Sequence, residues 1–338
     1  MRKHYLDHLR SIAILLLFPY HTFMIYNDWG ERFYVNGEPL FLTSLFIKIN
    51  AAWMMPLLFA VAGMSSAYAL KKRSLAAYAK ERVSKLLLPL IFGLLLLIPI
   101  QAYIAALFHK GSASYLNFFV DFSDLSGTGG GFTTGQLWFI LYLFVFSIIC
   151  LPLMALYNKH AKKALASKLP LPVLLLLGLL PTLAHPLLNI SGKSIGENLC
   201  YFLAGYFILS NEPVLQRLDK HRFVLLGLSL VCLPASLYFN YAFFEWLAWL
   251  LILTILGLAR HYLSFSGKVS GYLAKSSFGV YLFHQSWIII AAFFVLKLTD
   301  KPALQIVLIL LSSIILTYLT YELCRLIKPL RWMFGFKK

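Results

Sequence analysis

Long uninterrupted apolar runs are the feature that most constrains this chain. About 20 apolar residues cross a bilayer as a helix, and we interpret ten runs as spans. Of the 338 residues, 60% are hydrophobic and 13% are charged, which is about half the charged share of a soluble domain. A soluble enzyme, a disordered chain, a coiled coil and a transmembrane barrel are thereby excluded. The predicted spans are roughly 9–26, 45–70, 86–108, 136–157, 171–188, 196–210, 222–240, 243–260, 278–298 and 303–326.

The net charge of +17 is interpreted as a topology signal. Cytoplasmic loops of membrane proteins are enriched in Lys and Arg. With the N-terminus inside and alternating spans, 24 of the 30 basic residues fall on the cytoplasmic side. We therefore predict an all-α, polytopic membrane bundle of about ten transmembrane helices. Both termini are expected in the cytoplasm, and residues 1–338 are expected to form one domain. The lipid bilayer is the expected partner, nucleic acid is not, and the oligomeric state stays open.

Two ionisable residues, Arg10 and His21, mark the first run. Eleven residues separate them, which on an α-helix returns to almost the same face about 16 Å further along the axis. One face thus presents a cation near the cytoplasmic mouth and an imidazole, the usual general base near neutral pH, deeper in the membrane. The alternative is a snorkelling Arg and a His that is hydrogen-bonded to a neighbouring helix.

Later runs contain a second His and an acidic residue. His284 follows Tyr281 by three residues, so both lie on one helix face. Either a functional site or a structural contact between the two residues accounts for this pair. Glu322 lies in the last run, where we expect it to pair with a cation or to approach the interface. Ionisable residues at membrane depth are functional candidates by default.

Basic residues at the entry to the third run offer a possible anion site. Arg82 and Lys85 are three residues apart, which places both on one face of an α-helix. Two cations at that place are able to hold a phosphate group. Ordinary positive charge on the cytoplasmic side is the competing interpretation.

Several motifs follow one another in a recognisable order. The first helix has an Arg, ten residues and then a His, and the later motifs have their own fixed spacings. The order of these motifs across residues 5–284 resembles that of the membrane acyltransferase-3 family. The ten-span layout also resembles that of the family along the whole chain. The motifs are Arg10 to His21, Pro56 to Gly63, Arg82 to Lys85, Leu137-Trp138-Phe139-Ile140 and Tyr281-Leu282-Phe283-His284.

Three positions depart from the family pattern. Lys85 stands where a second Arg is usual, which keeps the charge but loses the bidentate geometry. Ala62 replaces a common Ser before Gly63, and Gln136 stands where a polar residue, often His, precedes Leu-Trp-Phe.

The resemblance implies an integral membrane O-acyltransferase of the bacterial cytoplasmic (inner) membrane. Such an enzyme moves an acyl group, most often acetyl, from cytosolic acyl-CoA to a hydroxyl of a sugar, polysaccharide or other envelope acceptor. His21 and Arg10 would then be catalytic, and Arg82 and Lys85 would bind the donor. Tyr281, His284, Trp138 and Glu322 would bind substrate or support the site. No metal and no tightly bound cofactor is expected. A transporter or flippase without covalent chemistry is the alternative function.

Overall fold

The computed structural model describes residues 3–160, 164–190, 192–239 and 243–336. Within these ranges the regular structure is helical apart from one short antiparallel hairpin. Its strands are Asn189–Ile190 (β1) and Lys193–Ser194 (β2). The α-helices are His4–Leu15 (α1), Leu17–Met24 (α2), Phe41–Ala51 (α3), Met54–Leu70 (α4), Leu75–Arg82 (α5), Leu88–Leu96 (α6), Ile98–Lys110 (α7), Asn117–Val120 (α8), Trp138–Ile149 (α9), Leu151–His160 (α10), Ala164–Ser167 (α11), Leu171–Leu176 (α12), Leu179–Ala184 (α13), Ile195–Ala204 (α14), Glu212–Lys220 (α15), Arg222–Tyr238 (α16), Phe244–Tyr262 (α17), Lys268–Leu298 (α18), Pro302–Leu326 (α19) and Lys328–Met333 (α20).

The described residues include five helices that are long and apolar enough to cross a membrane, or up to seven if each of two bent helix pairs is one span. The prediction of an all-helical membrane protein is confirmed at this level. All ten predicted runs overlap helical residues, but the count of ten and the cytoplasmic termini stay predictions. Residue 240, at the end of one run, and terminal residues 1, 2, 337 and 338 lie outside the described ranges. The candidate spans are Phe41–Leu70, Leu75–Lys110, Phe244–Tyr262, Lys268–Leu298 and Pro302–Leu326, with the pairs Gly135–Ile149 + Leu151–Lys159 and Glu212–Lys220 + Arg222–Tyr238.

The first predicted run forms two consecutive helices, α1 and α2, which meet at Leu16. Backbone bonds continue on both sides of the junction, because the Leu16 N–H bonds Ile12 O at 3.0 Å and the Tyr20 N–H bonds Leu16 O at 3.0 Å. Pro19 has no N–H for the carbonyl of Leu15, which explains the interruption. His21 therefore lies on a helix that begins within one turn of a proline-induced break.

The chain forms two compact units. The first comprises residues 1–10, 49–82 and 142–271, and the second comprises residues 11–48, 83–141 and 272–338. The prediction of one domain over residues 1–338 stays a prediction.

Glycines allow close helix packing in the first unit, where α4 packs against α14 and against the π-helical turn Gly205–Leu209 that follows it. A Cβ on Gly63 would lie 2.0 Å from the carbonyl oxygen of Phe202, and one on Gly205 would lie 2.1 Å from that of Ala60. Neither distance is compatible with a side chain. Helix association in membranes relies on small residues in this way, because lipid supplies little hydrophobic driving force.

A charged cluster, consisting of Lys3, Glu212, Asp219 and Arg260, lies in the same unit. The Glu212 carboxylate accepts from Lys3 Nζ at 2.9 Å and from Arg260 at 2.5 Å. Arg260 also lies 3.8 Å from Asp219. The four residues help to line a polar cavity of about 260 Å³. Each charge in this cluster is paired with an opposite charge, which joins the start of the chain to α15 and α17.

In the second unit, α19 packs against α2 and α20. Gly279 on α18 permits a similarly close contact, because a Cβ there would lie 2.2 Å from the ring of Tyr321 on α19. This packing places the middle of α18, with its buried polar residues, in the interior of the unit.

Candidate active site

Two histidines that are 263 positions apart in sequence meet in the second unit. The ring centroids of His21 on α2 and His284 on α18 are 5.2 Å apart, with an angle of 42° between the ring planes. Phe33 stacks on His21, with centroids 5.7 Å apart and planes 22° from parallel. We call His21, Phe33 and His284 the histidine cluster. It joins two residues that the sequence analysis treated as separate candidates.

His284 is completely buried, and its hydrogen bonding assigns a tautomer. Nδ1 lies 2.7 Å from the carbonyl oxygen of Tyr281, and a carbonyl only accepts, so Nδ1 carries the proton. Nε2 is buried and has no hydrogen-bond partner among the described residues. A proton there as well would leave a buried cation without a partner, which is costly. His284 is therefore assigned as a neutral imidazole with an available lone pair.

Tyr281 and His284 do interact, as the sequence suggested, and the hydrogen bond between them uses the backbone carbonyl of Tyr281. The Tyr281 hydroxyl instead donates to the backbone carbonyl of Gln136, just before α9. The Gln136 amide returns a bond to the carbonyl of Leu282 at 3.0 Å. These two bonds hold α18 against the start of α9 next to His284.

Two further polar residues beside this contact, Gln101 and Ser286, were not predicted from the sequence. Gln101 on α7 donates to Ser286 Oγ at 2.7 Å and to Gln136 Oε1 at 3.2 Å, and all three residues are buried. An amide inside the apolar run 86–108 was the available signal. Polar side chains of this kind join helices in membranes, so the bonds among Gln101, Gln136 and Ser286 connect α7, the start of α9 and α18.

Phe33 reaches His21 because the segment after α2 turns back on itself. Asn27 organises the turn: its side-chain amide donates to Met24 O at 2.9 Å and to Glu31 O at 2.7 Å, and its side-chain oxygen accepts from the Glu31 N–H at 3.0 Å. Further along, the Gly37 N–H bonds Ile25 O at 2.9 Å. The segment between these bonds carries Phe33, which is 9% exposed, onto the ring of His21.

Arg10, in the first unit, contacts one polar residue on its own helix, α1, and one on α4. Its guanidinium lies 3.6 Å from the Asp7 carboxylate and donates to Ser65 Oγ at 3.2 Å. Its side chain keeps 37% of its surface exposed.

Arg82, the last residue of α5, lies over an aromatic ring. Its guanidinium carbon is 4.4 Å from the centroid of the Tyr78 ring, which is close enough for a cation–π interaction. Tyr78 is completely buried and donates to Ser66 Oγ at 2.8 Å. The ring thus provides a fixed base for a cation that is itself only half-buried.

Lys85, in the second unit, lies in a π-helical turn, Val83–Leu87. Pro89 lacks the N–H that would bond the carbonyl of Lys85, and its ring crowds that carbonyl, which favours a wider turn. The shared helix face predicted for Arg82 and Lys85 assumed α-helical spacing, and α5 ends at Arg82. Turns of this kind occur frequently at functional sites.

Trp138 and Glu322 lie apart from the contacts described for the histidine cluster. Trp138 begins α9 and packs edge-on to Phe139, with centroids 6.4 Å apart. Glu322 accepts from Arg325 Nε at 2.9 Å and from the Tyr272 hydroxyl at 3.0 Å. The expected pairing of Glu322 with a cation is thus observed, while functional roles for both residues stay predictions.

A comparison with protein families decides the class of protein. The model of an acyltransferase domain, that of the acyltransferase-3 family, matches residues 3–322. The chain belongs to the acyltransferase-3 family. It is therefore an acyltransferase, and its apolar helices make it a multi-pass membrane protein. The family resemblance inferred from the motifs is confirmed.

Curated relatives of this acyltransferase include the glucans biosynthesis protein C of Escherichia coli O1:K1, O139:H28 and O157:H7. Each is 26% identical over 153 residues, which is 44% of this chain and 38% of the relative. The matched part thus spans less than half of those relatives. No solved structure matches the chain.

Proposed function

We propose that this membrane O-acyltransferase moves an acyl group, acetyl in the first instance, from cytosolic acyl-CoA to a hydroxyl of an envelope carbohydrate or other envelope acceptor. The proposed location is the bacterial cytoplasmic membrane, crossed by ten helices with both termini inside. The acyltransferase-3 domain supports the reaction class. The observation that carries the proposal is the contact of the His21 ring with both Phe33 and His284.

His21 is the proposed general base. The acceptor oxygen attacks the thioester carbon as His21 removes the hydroxyl proton. The C–O bond of the new ester forms, the C–S bond breaks, and the proton passes from His21 to the departing CoA thiolate. A base held by neighbouring rings needs little reorganisation during this step.

Arg82 and Lys85 are the proposed donor-binding residues, and Arg10 is the proposed catalytic partner of His21 at the donor end. Phosphate groups pair best with guanidinium groups, and Lys serves as a point charge. Arg10 and Arg82 are each fixed by contacts within their own unit, while the π-helical turn sets the position of Lys85. In the proposed topology these residues are on the cytoplasmic side, where acyl-CoA is available.

A carbohydrate acceptor is proposed because the named relatives are glucan biosynthesis proteins. Only part of each relative is matched, so the acceptor is assigned by class. A hydroxyl of a glucan or of another envelope sugar fits the proposed chemistry.

The test uses membranes that contain the protein and acetyl-CoA labelled with ¹⁴C in the acetyl group and ³H in the adenine. The proposal predicts ¹⁴C in a base-labile ester of envelope carbohydrate, with ³H left in free CoA. A transporter would move label without forming an ester, and that result would reject the proposed function.

A further inference from the structure

The ring of His284 has two edges with different surroundings. The Nδ1 edge faces the backbone of its own helix, because its proton bonds the carbonyl of Tyr281. Nε2 lies on the far side of the ring, away from that carbonyl. It is a buried acceptor without a partner among the described residues. Such an atom in a native structure calls for an explanation.

Three described rings surround His284. The centroid of His21 is 5.2 Å away, that of Phe18 is 6.0 Å away and that of Tyr281 is 6.1 Å away. The Phe18 side chain has no N–H or O–H group, and the Tyr281 hydroxyl already donates to the backbone carbonyl of Gln136. Of these three rings, His21 alone has an N–H to offer to Nε2.

The distance between the two imidazoles fits that bond. At a centroid separation of 5.2 Å, nitrogens on facing ring edges come within hydrogen-bond range, about 3 Å. Catalytic hydrogen bonds are often long before substrate binds and shorten in the reacting complex. Since Nε2 has no hydrogen-bond partner among the described residues, the proposed contact requires His21 to rotate toward Nε2.

We propose that His284 is a positioning residue, whose Nε2 accepts the N–H of His21 and thereby decides which nitrogen of His21 is the base. This inference rests on the proposed function for its kinetic consequences. His21 takes the acceptor proton on its other ring nitrogen and becomes an imidazolium. The N–H that bonds His284 Nε2 stays in place, and His284 remains neutral. The proton taken from the acceptor hydroxyl then passes to the CoA thiolate.

A carboxylate performs this orienting role in many soluble enzymes. Inside a membrane a carboxylate is costly, whereas an imidazole that is hydrogen-bonded to its own helix supplies an acceptor without a net charge. The described contacts of His284 are with the backbone and with rings, and they include no carboxylate, Lys or Arg. The arrangement thus preserves the geometry of a base and its orienting group at low electrostatic cost.

A matched pair of variants separates the two edges of His284. In His284→Asn, the amide N–H lies where Nδ1 was, so the bond to the Tyr281 carbonyl is kept and the acceptor at the position of Nε2 is lost. In His284→Gln, the longer side chain reaches the position of Nε2 and provides an acceptor there. We expect acetyl transfer from acetyl-CoA to envelope material to fall about 10²-fold or more in His284→Asn, and to stay within about tenfold of wild type in His284→Gln. The KM for acetyl-CoA should not change in either variant.

Three outcomes of that assay would overturn the proposal. These are full activity in His284→Asn, an equal loss of kcat in both variants, or a loss that is confined to KM. Thermal melting of each purified variant controls for folding. A wild-type protein that transfers no acetyl would instead reject the proposed function.

A second measurement is independent of activity and of the substitutions' effect on folding. Solid-state NMR of wild-type protein with ¹⁵N-labelled histidine in lipid reports the tautomer, with the His284 signals assigned by their loss in His284→Gln. We expect the proton on Nδ1 and a shift of the Nε2 signal when His21 becomes protonated. A proton on Nε2, or an Nε2 signal that ignores His21, would contradict the inference.

Discussion

The charged cluster and the histidine cluster differ in exposure and in net charge on their members. The four members of the charged cluster are partly exposed, and two cations balance two carboxylates. They therefore connect helices at a modest electrostatic cost. His284 is completely buried and is surrounded by backbone and rings. Charged side chains therefore occur where opposite charges pair with them. The buried site instead contains a neutral imidazole whose proton position is set by a hydrogen bond. We expect changes in the first cluster to affect stability and changes in the second to affect turnover.

The largest effect outside the two histidines is expected at Phe33. Phe33→Leu keeps apolar volume but removes the flat face that stacks on His21, and a small misplacement of a catalytic group costs on the order of 10²-fold in rate. Phe33→Tyr keeps the face and should retain most of the activity. Acetyl transfer per folded molecule measures both. Equal turnover in Phe33→Leu and wild type would show that the stacking has no role in positioning His21.

A smaller effect is expected for donor binding at Arg82. Arg82→Ala should weaken acetyl-CoA binding by about 1–3 kcal/mol, the range for hydrogen bonds to charged groups, and should reduce the dependence of binding on salt. Arg73→Ala is the matched control, because Arg73 is paired with Glu81 in the same region. Equilibrium binding of labelled acetyl-CoA decides the matter. The same affinity in both variants would assign Arg82 to topology alone.

A stability effect without loss of turnover is expected in the charged cluster. Glu212→Gln removes the charge shared by Lys3 and Arg260 and should lower the free energy of unfolding by about 1 kcal/mol, since these groups are partly exposed. Thermal melting and acetyl transfer by the folded fraction are both measured. A loss of kcat without a loss of stability would break the distinction between the two clusters.

The smallest effect is expected at His261, which lies 3.1 Å from Asp219 and has 43% of its side chain exposed. His261→Ala should change stability by less than about 0.5 kcal/mol, as is usual for exposed pairs, and should leave transfer unchanged. It is the control for any histidine substitution. A large loss of activity here would mean that the assay responds to general disturbance of the protein.

Much of the helical structure was predictable, because it depends on local composition. The apolar runs identify the helices, and the spacing of Tyr281 and His284 correctly places them on one helix face. The sequence did not reveal that His284 bonds the carbonyl of Tyr281, since a side chain can bond either group at this spacing. Pro89 marked a local break, but not the π-helical turn that results from it.

The histidine cluster was not predictable as a unit. Its members come from α2, the following segment and α18, and the pairing of distant helices leaves no periodic signal in one sequence. Phe33 lies in a segment whose path depends on side-chain bonds from Asn27. Gln101 gave a usable signal as an amide within an apolar run, but its partners Ser286 and Gln136 follow only from helix packing.

The central claim is that His21 is the general base, and His21→Ala tests it most directly. A positioned base contributes about 10²–10⁴-fold to rate. We predict that kcat for acetyl transfer falls by that factor in His21→Ala, while acetyl-CoA affinity and thermal stability stay near those of wild type and of His261→Ala. Full acetyl transfer by well-folded His21→Ala protein would contradict the account.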